Sequence, residues 1–135
     1  MKHSTIEFNR DKHDFVINGK PLLTLIEKHE DVIADRHLVS VLSQPGACDR
    51  LLGLSEPDLQ NGHVAIYLCS HCGGYDGNPI GIKLVLESDH VIWKDIGFYQ
   101  DYEDEDPQLF HKVKDYSFTL QEYRELLQRL KIYEP

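Results

Sequence analysis

The spacing of apolar positions changes along the chain, and each change marks an element. Thr5-Ile6-Glu7-Phe8 and Phe15-Val16-Ile17 flank a polar stretch holding Asn9, Asp11 and Asp14, which predicts a β-hairpin. Asn18-Gly19 then marks a tight turn, and Pro21 suits the first turn of a helix. Leu22, Leu25, Ile26 and His29 follow at three- and four-residue spacing, predicting an amphipathic helix near 21–30. From 35 to 62 the pattern is short and broken: Val39, Val41 and Leu42 are apolar, Pro45-Gly46 interrupts, and Ala47 to Leu52 make two helical turns closed by Gly53.

Three apolar-rich strands follow the polar turn Gln60-Asn61-Gly62, at His63–Cys69, Ile80–Glu87 and Val91–Tyr99. In the second, Ile80, Ile82, Leu84 and Leu86 share one face, the period of a half-buried strand. Ser88-Asp89 joins it to the third, where Ile92, Ile96 and Phe98 alternate with Val91, Trp93, Asp95 and Gly97, so the two pair antiparallel. Near the end, Thr119-Leu120-Gln121-Glu122 is a capping box, with Phe118 and Tyr123 placed to form a hydrophobic staple. A helix then runs to about Ile132 with Leu120, Tyr123, Leu127 and Leu130 as its core stripe. The expected fold is one α+β domain over 1–135: an antiparallel sheet of about five strands, packed by a C-terminal helix and one or two shorter helices.

Composition narrows the function classes. Apolar residues at 41% and charged residues at 27% are globular values, so the chain has the material for one core without disulfide staples. Fourteen Lys and Arg against 23 Asp and Glu give a net charge of −9, which repels phosphate backbones and anionic lipid. Nucleic acid and membrane are therefore poor partners. The start Met-Lys-His-Ser lacks the apolar stretch of a signal peptide, so a cytoplasmic location is expected. There the three cysteines are expected as reduced thiols.

Two of them carry the first candidate site. Cys69-Ser70-His71-Cys72-Gly73-Gly74 follows a strand, and a Cys-x-x-Cys-Gly turn in that setting is built like a zinc knuckle, with two thiolates converging where glycine permits the reversal. Cys69, Cys72 and His71 are the candidate metal ligands. A structural zinc needs four donors, and the remaining ones are Cys48, His63 and His90, none at a recognised spacing. Zinc is thus an alternative, with no cofactor as the first expectation. Thiol–disulfide chemistry would need the pair at a helix N-terminus, and Gly73-Gly74-Tyr75-Asp76-Gly77-Asn78-Pro79 does not open a helix.

The stretch from Tyr67-Leu68-Cys69-Ser70-His71-Cys72-Gly73 through Val91-Ile92-Trp93-Lys94-Asp95-Ile96-Gly97 to Tyr116-Ser117-Phe118-Thr119 resembles small uncharacterised bacterial proteins, some labelled oxidoreductase automatically. The resemblance covers about half the chain and implies a fold-level grouping. Relatives often add a cysteine shortly after the Cys-x-x-Cys-Gly, where this chain has Gly77-Asn78, a departure that weakens a metal role for Cys69 and Cys72.

The second candidate site is Asp101-Tyr102-Glu103-Asp104-Glu105-Asp106, five carboxylates in six residues directly after a strand. The run lacks the ligand spacing and central glycine of a calcium loop. With Tyr99 and Tyr102 as amphipathic anchors it suits docking of a basic protein, as an immunity protein masks a basic toxin. No Gly-x-Ser-x-Gly elbow, P-loop, dinucleotide fingerprint or His-x-x-x-His pair occurs. The sequence therefore predicts a non-enzymatic acidic protein-interaction domain, with zinc binding or thiol oxidoreductase activity through Cys69 and Cys72 as the alternatives.

Overall fold

The hairpin loop is fixed by its own side chains. In the computed structural model, which describes residues 3–29, 38–59, 62–69, 79–99, 108–110 and 112–134, Asn9 Oδ1 accepts from the N–H groups of Asp11 and Lys12 at 3.0 and 3.1 Å. His13 closes the loop in the left-handed region (φ 53°). β1 (Ile6–Asn9) thereby pairs antiparallel with β2 (Asp14–Ile17), Ile6 opposite Ile17. Asn18 (φ 52°) and Gly19 (φ 80°) form the two-residue turn into β3 (Lys20–Pro21), both central residues at positive φ as a type I′ turn requires. α1 (Leu22–His29) follows at once and buries Leu22 and Ile26, while the carboxylate of Asp14 accepts from Leu23 N–H in its first turn.

The larger sheet has six strands, in the order β4 (Leu38–Ser40), β5 (His63–Cys69), β6 (Ile80–Leu86), β7 (His90–Phe98), β8 (Gln108–Leu109), with β9 (Tyr116–Thr119) also paired to β7. Every pairing is antiparallel. The mixed α+β class and the C-terminal helix match the sequence reading. Among the described residues the strands divide into a three-stranded and a six-stranded sheet, because there β1–β3 pair only with one another.

One face assignment is corrected. The sequence alternation put Ile92 with Ile96 and Phe98, yet Val91 and Trp93 are the buried residues in the first half of β7, and Ile92 is half-buried. The cause is a bulge: Gly81 pairs with Gly97 but Lys83 with Lys94, so Asp95 and Ile96 together oppose Ile82. Asp95 adopts φ 52° there, and the extra residue inverts which side chains face inward. In β6, Ile80, Gly81 and Ile82 are buried in succession, Leu84 is half-buried and Leu86 is exposed, so the face that Ile80, Ile82, Leu84 and Leu86 share loses its cover toward the turn into β7.

α2 (Ala47–Leu51) and α3 (Leu120–Leu130) close the core. Thr119 caps α3 by accepting from Glu122 N–H at 3.3 Å, and the Phe118 and Tyr123 rings stack at 5.9 Å and 12°, as the staple predicts. The other half of the capping box is corrected: Glu122 Oε1 accepts from Ile6 N–H at 3.1 Å, so it ties α3 to the edge of the small sheet. Tyr123, Leu126, Leu127 and Leu130 are buried and Leu120 half-buried. At the centre Trp93 meets Phe15, Phe118 and Tyr123 edge-on, with centroids 5.3, 5.4 and 6.2 Å away. Its Nε1–H donates to Tyr123 Oη, which in turn donates to the Leu51 carbonyl at 2.6 Å, so both polar tips are satisfied in the interior. Among the described residues no helix is long and apolar enough to cross a membrane.

Candidate functional site

The register gathers several strand ends at one end of the large sheet. Leu38, the first residue of β4, pairs with Cys69, the last of β5; Tyr67 pairs with Ile80, the first of β6; Ile80 pairs with Phe98, the last of β7; and Phe98 pairs with Gln108, the first of β8. Tyr99 N–H donates to the Pro79 carbonyl at 2.9 Å, carrying the ladder one step further. The connection holding Cys72 thus leaves from β5 and returns in β6, and the connection holding the acidic run leaves from β7 and returns in β8, at the same sheet end. Strands lie about 4.8 Å apart, so the two connections start about 10 Å from each other.

Of the predicted site residues, Cys69 is placed as the terminal residue of β5. His71, Cys72, Asp101, Tyr102, Glu103, Asp104, Glu105 and Asp106 lie outside the described residues. Tyr99, expected as a docking anchor, is instead buried at 0% exposure. Its hydroxyl donates to the Asp95 carbonyl at 2.7 Å, its ring lies 4.7 Å from that of His63, and Gly81 leaves it room, since a Cβ there would sit 2.7 Å from the Tyr99 ring. Burial pushes the Tyr99 phenol up, so it stays neutral. This tyrosine is a packing residue that fixes the end of β7.

The spare ligands suggested for the thiol pair are dispersed. Cys48 is a free, buried thiol in α2, pushed up to about 11 by burial and by the neighbouring carboxylates of Glu134 and Asp49. His63 packs on Tyr99. His90 pairs with Asp89 at 2.6 Å, holding that carboxyl below its ordinary value, and its ring lies 5.6 Å from that of His3, whose Nδ1 meets Ser117 Oγ at 2.7 Å. Among the described residues no three His, Cys, Asp or Glu side chains are arranged to hold a metal ion.

Two polar groupings were not read from the sequence. Asp14, 5% exposed, receives the buried Tyr67 hydroxyl on one carboxylate oxygen and Leu23 N–H on the other. Burial drives its carboxyl up, while these hydrogen bonds and His13 oppose the shift. The second is a cleft of about 180 Å³ between the β1–β2 loop, α2 and the C-terminal turn 131–134. Phe8, Leu42, Cys48 and Leu130 line it, and Arg10, His13 and Glu134 supply polar groups. Arg10 is stacked on Tyr133, its guanidinium carbon 3.5 Å from the ring centroid, and Glu134 accepts from Cys48 N–H at 3.3 Å. A histidine spaced for a hairpin turn carries no sequence signal for such a cleft, because its walls come from distant parts of the chain. Comparison of the chain with family models, with curated proteins and with solved structures finds no match.

Proposed function

We propose that this chain is an acidic protein-interaction domain that masks a basic partner at the β4–β8 end of the large sheet. The observation that carries the reading is the pairing of Phe98 with Gln108, which pins both ends of the stretch containing five carboxylates to one strand pair. Charges attached within a Debye length of one another, about 8 Å at physiological salt, act on an approaching partner as one patch. Such a patch raises the association rate with a basic surface by about 10- to 1,000-fold at low salt. Tyr99 serves by stiffening the departure point, its hydroxyl tied to the bulged residue Asp95.

The test is pull-down and binding kinetics with the wild type and a variant carrying Asn or Gln at Asp101, Glu103, Asp104, Glu105 and Asp106. The wild type should retain a partner that dissociates as salt is raised, with association at least about tenfold slower for the variant. Equal retention by both proteins, or by neither, overturns the reading.

A second reading, zinc held through Cys69 and Cys72, is favoured by the place of Cys69: it is the last residue of β5, where the Cys-x-x-Cys-Gly connection leaves the sheet. Protein purified without added zinc should then carry about one metal equivalent, lost in a Cys69→Ser, Cys72→Ser variant. A metal-free, fully folded wild type ends that reading. For the thiol oxidoreductase alternative, Cys48 is not the nucleophile, because a thiol pushed up to about 11 is protonated at neutral pH.

A further inference from the structure

We infer that the cleft between the β1–β2 loop, α2 and the C-terminal turn binds a small organic carboxylate with an apolar body. The inference stands apart from the acidic sheet end, since other elements build this cleft. It begins with His13. The hairpin requires a left-handed residue at this position (φ 53°), which glycine would meet without strain, and a histidine occupies it. Its ring is set edge-on to Phe8 at 5.2 Å and 84°, and among the described residues its Nδ1 is buried without a hydrogen-bond partner. A buried, unpaired polar atom costs about 1–3 kcal/mol, a cost that the hairpin by itself does not require.

The surroundings supply what a carboxylate needs. His13 lines the cleft and its ring offers one N–H donor, and the Arg10 guanidinium offers a planar fork whose orientation is set by its stack on Tyr133. Phe8, Leu42 and Leu130 form the apolar wall. The volume of about 180 Å³ sets the size: an apolar cavity of about 150 Å³ takes benzene, so the ligand has roughly six to ten non-hydrogen atoms. Glu134 decides between two sources of the same carboxylate. One of its oxygens accepts from Cys48 N–H, and the carboxylate would welcome an α-ammonium group, which a plain carboxylic acid lacks.

The experiment is an amide NMR titration of the full chain with 4-methylpentanoate, with leucine, which is its 2-amino derivative, and with the neutral 4-methylpentanamide. Saturable shifts at Arg10, His13 and Cys48 are expected for at least one carboxylate, half-saturating at roughly 1 mM or below, and none for the amide. Tighter binding of leucine assigns its ammonium to Glu134, and tighter binding of 4-methylpentanoate makes the ligand a plain carboxylate. His13→Gly keeps the hairpin geometry, so it should weaken binding about tenfold or more while Tm is unchanged or raised; Arg10→Ala, at an exposed position, should weaken it as well. The absence of saturable shifts, equal binding of the amide, or a His13→Gly protein that binds like the wild type overturns the inference.

Discussion

At the scale of single residues, Asp14 and Tyr67 carry the largest electrostatic consequence. Tyr67 is fully buried and its phenol is driven well above the ordinary range, chiefly by burial and then by the carboxylate of Asp14, so it acts only as a neutral donor. Asp14 has its carboxyl raised above the ordinary 3.8, with burial as the main cause. An acid raised in the folded state contributes stability that is fully present below its unfolded pKa and is lost as pH rises through its folded pKa. Tyr67→Phe removes the donor that favours the charged form, so Asp14 should shift further upward and the ionised carboxylate should be left short of a partner. Urea unfolding should therefore show a loss of about 1–3 kcal/mol for Tyr67→Phe near pH 7.5 and a smaller loss near pH 4.5, where Asp14 takes up its proton more readily. An equal loss at both pH values would mean that the hydroxyl contributes through packing alone. In the sequence Asp14 is one polar residue of a hairpin, and nothing local distinguishes it from the exposed Asp11; its partner Tyr67 lies 53 positions away.

At the scale of elements, legibility follows the range of the interaction that decides each feature. The Asn18-Gly19 turn, the Phe118–Tyr123 staple and the positions of β5, β6 and β7 were readable because neighbours within a few residues set them. The phase of β7 was not, because the bulge at Asp95 depends on how β6 and β7 meet, and a period-2 count continues straight through it. Gly97 shows the same dependence: a Cβ there would sit 2.4 Å from the Gln108 carbonyl oxygen, so the glycine answers to β8, eleven residues further on. Glu122 was readable as a helix-capping residue and not as the partner of Ile6 N–H. For the candidate sites, composition found the acidic run and spacing found the thiol pair, while the convergence of their strand ends needed the register of the whole sheet. Tyr99 reads in the sequence as a surface anchor because it lies beside carboxylates, whereas in the structure it is buried, with Gly81 opening an interior place for its ring.

At the scale of the molecule, the two sheets are expected to unfold as one. The small sheet is short, its strands running 4, 4 and 2 residues. Its ties to the rest are specific: Phe15 against Trp93, the Asp14–Tyr67 pair, Ile6 N–H on Glu122, and Ser4 N–H on the Ser117 carbonyl at 2.7 Å. Each contact joins the N-terminal residues to β5, β7, β9 or α3, so loss of the small sheet would expose the core face of the large one. Trp93, the single tryptophan, lies at this junction with 0% exposure, and its fluorescence reports the junction directly, whereas far-UV circular dichroism reports the helices and both sheets. In urea the two signals should therefore change with one midpoint and one slope, as expected of a single cooperative unit. A fluorescence transition that precedes the dichroism change would show instead that the small sheet detaches first, with the six-stranded sheet and α3 persisting as a separate folding unit.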